Sequence, residues 1–381
     1  MSKKLIQNLL SHADVTVNGN NPWDIQIFND QFYSRVLSNT ELALGESYME
    51  KWWDCANLDK FFYRIFSVDL HKTVLKHPKF WRAILKSACY AAFTKVFNPQ
   101  TKNRAFTVGE RHYDIGHDLY SLMLDKRLVY SCAYWENANT LDEAQEKKLE
   151  LCCQKLALKP GMVVLDIGCG WGSFAKYAAE KYGVSVVGIT VSKEQYQYAQ
   201  THCLELPVEF RFQDYRELLK GNEKFDRIIS VGMFEHVGDK NYKVYMQTVA
   251  HCLKDDGLFL LHTIGANETK HIKNDAWFNI YIFPNSQIPS IQQIGKAIEG
   301  IFVMEDWHNF GVYYDKTLMA WHQNFNDHWD LLSKKYGERF RRMWNYYLLS
   351  FAANFRTRQL FQVWQLVLSK KGLANGYKRP L

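Results

Sequence analysis

A chain of 381 residues with 47% hydrophobic content can hold two domains with real cores, and no run in it approaches the ~18 apolar residues that span a bilayer. Its formal net charge of +7 is uneven: residues 333–381 carry 11 Lys/Arg against Glu338 alone, and 70–111 carry nine against Glu110 alone. The eight cysteines form no CxxC pair and no zinc-like spacing with histidine, which excludes a disulfide framework or zinc module and suits reduced thiols in a cytoplasmic protein.

The N-terminal stretch breaks its short apolar run with Gln7 and Asn8 and shows no small-residue cleavage site, so it does not read as a secretory signal. Residues 29–37 and 41–53 mix apolar and polar positions at helical spacing, after turn residues around 18–22. In 79–93, Lys79, Arg82 and Lys86 share one helical face, and Trp81, Ile84, Leu85, Ala88 and Ala92 form the opposite stripe. Both a helix lying on acidic lipid and an ordinary surface helix look like this. Residues 98–103 are linker-like. The expected division is therefore a helical domain at 1–98, a linker at 99–109 and a second domain at 110–381.

From about residue 110 helices and strands alternate. Residues 141–156 predict a helix with an acid-rich start and a lysine-rich end, as the macrodipole favours. Lys159-Pro160-Gly161 then sets the start of an apolar strand, Val163 to Ile167, which runs into Gly168-Cys169-Gly170-Trp171-Gly172 and a helix over 173–182. Strand, glycine turn and helix is the layout by which a doubly wound sheet receives a nucleotide-like ligand: the backbone can approach closely and the helix N-terminus offers unpaired N–H groups. The glycine spacing differs from the dinucleotide G-x-G-x-x-G. Further strands are predicted at 184–190, 208–212, 225–231 and 257–264, with a helix over 192–203 capped by Ser192. Strands separated by helices imply a parallel α/β sheet. Gly168, Thr190, Gln213, Val231 and His262 then fall at the strands' carboxyl ends, where ligands sit.

The glycine motif with Asp166 in its strand resembles the first motif of class I S-adenosylmethionine (AdoMet) methyltransferases. Four further segments narrow the likeness: Tyr130-Ser131-Cys132-Ala133-Tyr134-Trp135, Gly232-Met233-Phe234-Glu235-His236-Val237-Gly238, His262-Thr263-Ile264-Gly265 and Asp306-Trp307-His308-Asn309-Phe310-Gly311. With them the chain resembles the cyclopropane-fatty-acyl-phospholipid synthase family nearly end to end, including Gly45 to Trp53. Over 110–310 it is also similar to the mycolic acid cyclopropane synthases. The resemblance implies a Rossmann-like catalytic domain behind a smaller helical domain that docks on membrane, and transfer of the AdoMet methyl group to a cis double bond of a phospholipid acyl chain. A carbocation on the acyl chain then loses a proton to a bound bicarbonate ion as the ring closes.

By that resemblance the bicarbonate ligands map onto Cys132 and Ile264 through backbone N–H groups, His262 and Tyr314 through side chains, and Glu235 as acceptor of the ion's O–H. The AdoMet residues map onto Tyr130, Ser131, Asp166, Gly168, Gly170, Thr190, Ser192, Gln195, Gln213, Asp214, Tyr215 and Val231, with Gln195 toward the ribose and Asp214 toward the adenine. Many methyltransferases carry an acid where this chain has Thr190, a departure the cyclopropane synthases share. Trp135, Trp171, Phe234 and Tyr281 are candidate ring faces toward the sulfonium cation. Some family members carry a cysteine in the segment equivalent to 346–351; here Ser350 and Phe351 stand there.

No metal is implied. The basic segments suit an unsaturated phospholipid surface rather than nucleic acid, since no RNA-binding signature is visible. A homodimer at the inner membrane face is expected from the resemblance alone. Two other readings stay open: an AdoMet methyltransferase that acts on another acceptor without ring closure, and a non-enzymatic lipid- or nucleic-acid-binding protein that keeps the cofactor fold.

Overall fold

The computed structural model describes residues 2–70, 100, 116–269 and 275–380. The predicted helix over 79–93 lies outside these, as does nearly all of the linker. The chain forms two compact units, and neither is continuous in sequence.

The first unit takes Met1–Pro99, Lys273–Pro284 and Leu318–Leu360. The two helical stretches expected near its start join into one helix, Gln31–Met49, kinked at Asn39 and Thr40. The helix stops at Met49, short of the expected Trp53. Lys51 turns the chain with a φ of 61°, and β2 (Trp53–Asp54) pairs antiparallel with β1 (Gln26–Ile27). Trp53 is thereby buried against Tyr48 and Phe61, at ring centroid distances of 5.0 and 5.3 Å.

The domain division expected from sequence needs correction at this point, because residues 318–360 pack with the N-terminal part and not with the sheet. Helix Trp329–Thr357 places Tyr346 on Phe62, Tyr48 and Trp277, at 4.9, 5.8 and 4.5 Å. Its Arg342 donates to the carbonyls of Tyr48 and Trp53, at 2.5 and 3.0 Å, and pairs with Asp54 at 3.0 Å. An aromatic helix face needs an aromatic partner to cover it, and the N-terminal helices supply one.

The second unit takes Gln100–Ile272, Asn285–Thr317 and Phe361–Leu381 around a seven-stranded sheet. Its strands are β3 (Val163–Ile167), β4 (Ser185–Thr190), β5 (Val208–Phe212), β6 (Phe225–Val231), β7 (Leu253–Ala266), β8 (Val303–Asn309) and β9 (Phe361–Ser369), in the order β5-β4-β3-β6-β7-β9-β8. The first five run parallel, as expected. β9 and β8 were not foreseen; β9 enters antiparallel to β7 and β8 pairs antiparallel with β9, so the sheet is mixed. All of β9 beyond its first residue is buried. A strand covered on both faces loses the apolar–polar alternation that marks a half-exposed one.

Local chemistry explains the elements around the sheet. Thr140 and Glu143 form a capping box on helix Leu141–Lys155. Ser192 caps helix Lys193–His202 through the Gln195 N–H. Sequence order reverses between β3 and β6, which opens the switch-point crevice at their carboxyl ends. Two apolar clusters hold the sheet's faces, one with Leu165, Ile167, Phe234, Tyr245 and Trp364, the other with Val164, Cys152, Ala175 and Val367.

β7 and β9 approach so closely that a Cβ added at Gly265 would overlap the ring of Trp364. Gly265→Ala is expected to lower the unfolding free energy by about 1–3 kcal/mol through overpacking. Urea unfolding measures it, and Trp364→Leu in the same chain should return part of the loss.

Candidate active site

The glycine loop leaves β3 with Gly168, Gly170 and Gly172 all at positive φ. Gly168 and Cys169 donate N–H groups to the carbonyl of Ile189, at 2.9 and 3.0 Å, fastening the loop to β4. The glycines do different work. A Cβ at Gly172 would lie 2.8 Å from the Phe210 ring, so that position serves packing, whereas one at Gly170 meets nothing within 4 Å. The open side of the loop is therefore at Gly170, where a ligand can approach the backbone.

At the end of β4 the Thr190 hydroxyl lies 3.3 Å from the Gln195 side-chain carbonyl and accepts from the Ser192 N–H at 3.2 Å. Gln213 donates its N–H to the Thr190 carbonyl at 3.0 Å. Asp214 is buried and accepts from the Arg216 N–H at 3.0 Å, with the Arg216 guanidinium 3.3 Å away. Tyr130 packs edge-on to Tyr120 at 5.2 Å. Ser131 lies beneath it, with Cβ 3.9 Å from where Gly232 would carry one, just past Val231 at the end of β6.

Two expected cofactor residues stand differently from the rest. The Tyr215 ring turns into the core, 5.0 Å from Tyr245, and its buried hydroxyl has no partner among the described residues. Asp166 lies inside β3, on the same side as Val164, which packs with helix Leu141–Lys155. Burial raises its carboxyl to about 7 against the pull of Lys148. Of the candidate ring faces, Phe234 is fully buried and stacked on Tyr242 at 4.4 Å, so it is core. Trp171 is buried edge-on to His117 and Tyr198, and Tyr281 belongs to the other unit, beside Trp277. Trp135 donates to the Thr317 hydroxyl at 2.9 Å.

Cys132, Glu235, His262, Ile264 and Tyr314 all lie in the second unit. β6 ends at Val231, opposite His262. Ile264, two residues further along β7, therefore has no strand partner on that edge, and its N–H donates to Glu235 Oε1 at 2.6 Å. The resemblance assigned that N–H to a bound anion; in this structure it meets the Glu235 carboxylate. Glu235 Oε2 is buried without a partner among the described residues. Desolvation raises the carboxyl to about 7, opposed by the Ile264 N–H.

His262 is buried, and its Nδ1 lies 3.3 Å from Gln365 Nε2 on β9. With Gln365 donating there, the imidazole proton sits on Nε2. Desolvation first, then Lys148 and Lys155, push its pKa well below the usual range and keep the ring neutral. Phe310 packs edge-on to His262 at 5.5 Å, four residues before Tyr314 on the chain. Tyr314 is buried in the first turn of helix Val312–Asp327. Three residues on, Thr317 accepts the Ala133 N–H at 3.1 Å and so holds the segment that carries fully buried Cys132.

Sequence reasoning missed Gln365, Thr317 and Lys148. Gln365 had a signal, an amide inside the apolar run Val363 to Leu368, since a polar side chain buried in a strand needs a partner. Thr317 had none, because its helix reads as ordinary. The lysine-rich end of helix Leu141–Lys155 was attributed to the macrodipole, yet Lys148 and Lys155 are 1% and 0% exposed. Lys155 lies 3.0 Å from His308 and 3.7 Å from Asp306, which absorbs the latter motif into a buried network.

Comparison with known proteins gives a consistent result. The family model for mycolic acid cyclopropane synthetase matches residues 100–366. The chain is 49% identical over 375 residues to the cyclopropane-fatty-acyl-phospholipid synthase of Escherichia coli K12, covering 98% of this chain and 95% of that one. It is 37% identical over 276 residues to cyclopropane mycolic acid synthase 2 of Mycobacterium leprae, covering 65% and 89% of the two chains. Among solved structures it is similar to a mycolic acid cyclopropane synthase complexed with SAH and CTAB, with a TM-score of 0.65, 31% identity, and coverage of 70% of this chain and 98% of that one.

Glu235 makes stability depend on pH. Its folded pKa of about 7 lies above the ordinary carboxyl value, so its contribution is fully present below about 4.3 and is lost as pH rises through about 7. The loss is on the order of 3 kcal/mol, and glutamine cannot suffer it. The unfolding free energy of Glu235→Gln relative to wild type is therefore expected to rise across that window, measured by urea unfolding at stepped pH. A constant difference would place an ordinary carboxylate there.

Proposed function

The chain belongs to the mycolic acid cyclopropane synthetase family, and from that premise we propose how its residues carry out the reaction. It is an AdoMet-dependent methyltransferase that forms cyclopropane rings on unsaturated fatty acyl chains. In this reading the acyl chain belongs to a membrane phospholipid and the protein works as a homodimer at the inner membrane face, with the N-terminal region docking on acidic lipid. No helix of the described residues is long and apolar enough to cross a membrane, which is compatible with that placement.

The observation that carries the mechanism is the Glu235 carboxyl, fixed by Ile264 through one oxygen and left with a buried, unpartnered acceptor on the other. An alkene is a weak nucleophile, so alignment with the methyl donor carries much of the rate. The open backbone at Gly170, the Thr190–Gln195 pair, and Tyr130 and Ser131 would hold AdoMet, with Gln213, Asp214 and Val231 completing the rim. Ser192, Asp166 and Tyr215 would act behind that rim, Ser192 as the helix cap and the other two from the buried interior.

Bicarbonate, which fits a donor set of His262 Nε2, the Tyr314 hydroxyl and the Cys132 N–H with Glu235 Oε2 as acceptor, would supply the base for the last proton. Burial keeps His262 neutral, so it donates without adding a second cation beside the sulfonium. Glu235 accepts an O–H most strongly when ionised, and its carboxyl ionises at about 7. Turnover should therefore rise with pH through about 7.

Purified protein, AdoMet and vesicles of unsaturated phospholipid test the reading, with acyl chains examined by mass spectrometry and NMR. Chains one CH₂ heavier that have lost the alkene signal are expected. A mass gain with the alkene kept would indicate simple methylation, and AdoMet binding with no mass change would leave a binding protein. Glu235→Gln is expected to cut kcat by ~100-fold or more and to abolish the rising limb of its pH profile, while S-adenosylhomocysteine binding survives. Loss of that binding would mean the residue serves the cofactor instead.

A further inference from the structure

Helix Leu141–Lys155 sends two buried polar side chains, one turn apart, to a single residue of the site. Gln145 Nε2 donates to the carbonyls of Val129 and Ser131, at 3.2 and 2.9 Å. Lys148 Nζ donates to Ser131 Oγ at 2.7 Å. Ser131 is thus held at its backbone and, separately, at its hydroxyl. Gln145 already fixes the backbone, so a packing role leaves the ammonium without a reason.

A buried ammonium is costly unless its charge is used or neutralised. Burial lowers the Lys148 pKa from its usual value, and Asp125, from the segment before β3, and Asp166, on β3, oppose that through space. The Ser131 bond is the only hydrogen bond Lys148 makes among the described residues. A hydroxyl has one proton and two lone pairs. With the ammonium on one lone pair, the Ser131 O–H proton points elsewhere, and no described protein atom accepts it. The Ser131 Cβ lies 3.9 Å from where a Cβ on Gly232 would stand, at the carboxyl end of β6, so the acceptor of its hydroxyl belongs to whatever the site binds.

We propose that Lys148 is a positioning residue that orients the Ser131 hydroxyl so that its proton is donated to the carboxylate at the amino-acid end of the bound S-adenosyl compound. The inference rests on the AdoMet reading given above. Its signature is selectivity: the pair should matter for a ligand that carries the carboxylate and not for one that lacks it.

Calorimetric titration with two ligands separates these cases. S-Adenosylhomocysteine carries the amino-acid group; 5′-methylthioadenosine keeps the nucleoside and thioether but lacks it. Lys148→Met and Ser131→Ala should each weaken S-adenosylhomocysteine ~10-fold or more, and the double variant should weaken it no further, because both remove one device. Binding of 5′-methylthioadenosine should stay within ~2-fold throughout, and KM for AdoMet should rise more than kcat falls. Equal weakening of both ligands, or additive losses in the double variant, would make Lys148 a packing residue and overturn the proposal. If thermal melting shows Lys148→Met to be unfolded, Lys148→Gln carries the same expectations. Wild-type protein that binds neither ligand would instead remove the cofactor reading, and the proposal with it.

Discussion

Four residues of extra strand shape this site. β6 stops opposite His262, while β7 runs on to Ala266. The N–H of Ile264 is thereby left without a ladder partner on that edge, inside a buried environment where an unmet donor is costly. Glu235 meets it, and the bond turns a carboxyl away from solvent and into the space at the strand ends. One oxygen is committed to the backbone, so the other remains as a buried acceptor with a raised pKa. The neighbouring parts are arranged around that carboxyl. Gln365 fixes His262, and Thr317 fixes the segment of Cys132.

The floor of the site is unusually rich in buried charge. Lys148, Lys155, Asp125 and Asp166 are each almost completely buried, and a structure selected for stability alone would replace several of them with apolar side chains. Lys155 is shared among His308, Asp306 and the Tyr377 hydroxyl that donates to its carbonyl, so it anchors β8 and the C-terminal tail. Lys148 has no such anchor. Both cations also hold His262 neutral from a distance. Burial thus sets the protonation of His262, and charges that never touch it add to the effect.

Much of this was legible in the chain. The five parallel strands, the glycine turn and the cap at Ser192 follow from local patterns that agree with the final fold. The candidate site residues come from motifs that resemble those of a known family, since spacing alone cannot bring together residues 130 positions apart. What escaped notice was set by tertiary context. β9 is buried on both faces and shows no alternation. The segment 318–360 reads as a continuation of the sheet domain, but its aromatic helix face is complementary to the N-terminal helices. The bond from the Ile264 N–H to Glu235 was not legible either, because the length of β6 relative to β7 is not written in either strand.

The most direct test watches that N–H. In protein labelled selectively with ¹⁵N-isoleucine, the Ile264 amide reports ionisation of the carboxyl it donates to. Its proton resonance is expected to move downfield with a midpoint at about 7 and to stay still in Glu235→Gln. A midpoint near the ordinary carboxylate value of about 4.3, or a wild-type resonance that does not titrate, would contradict the account.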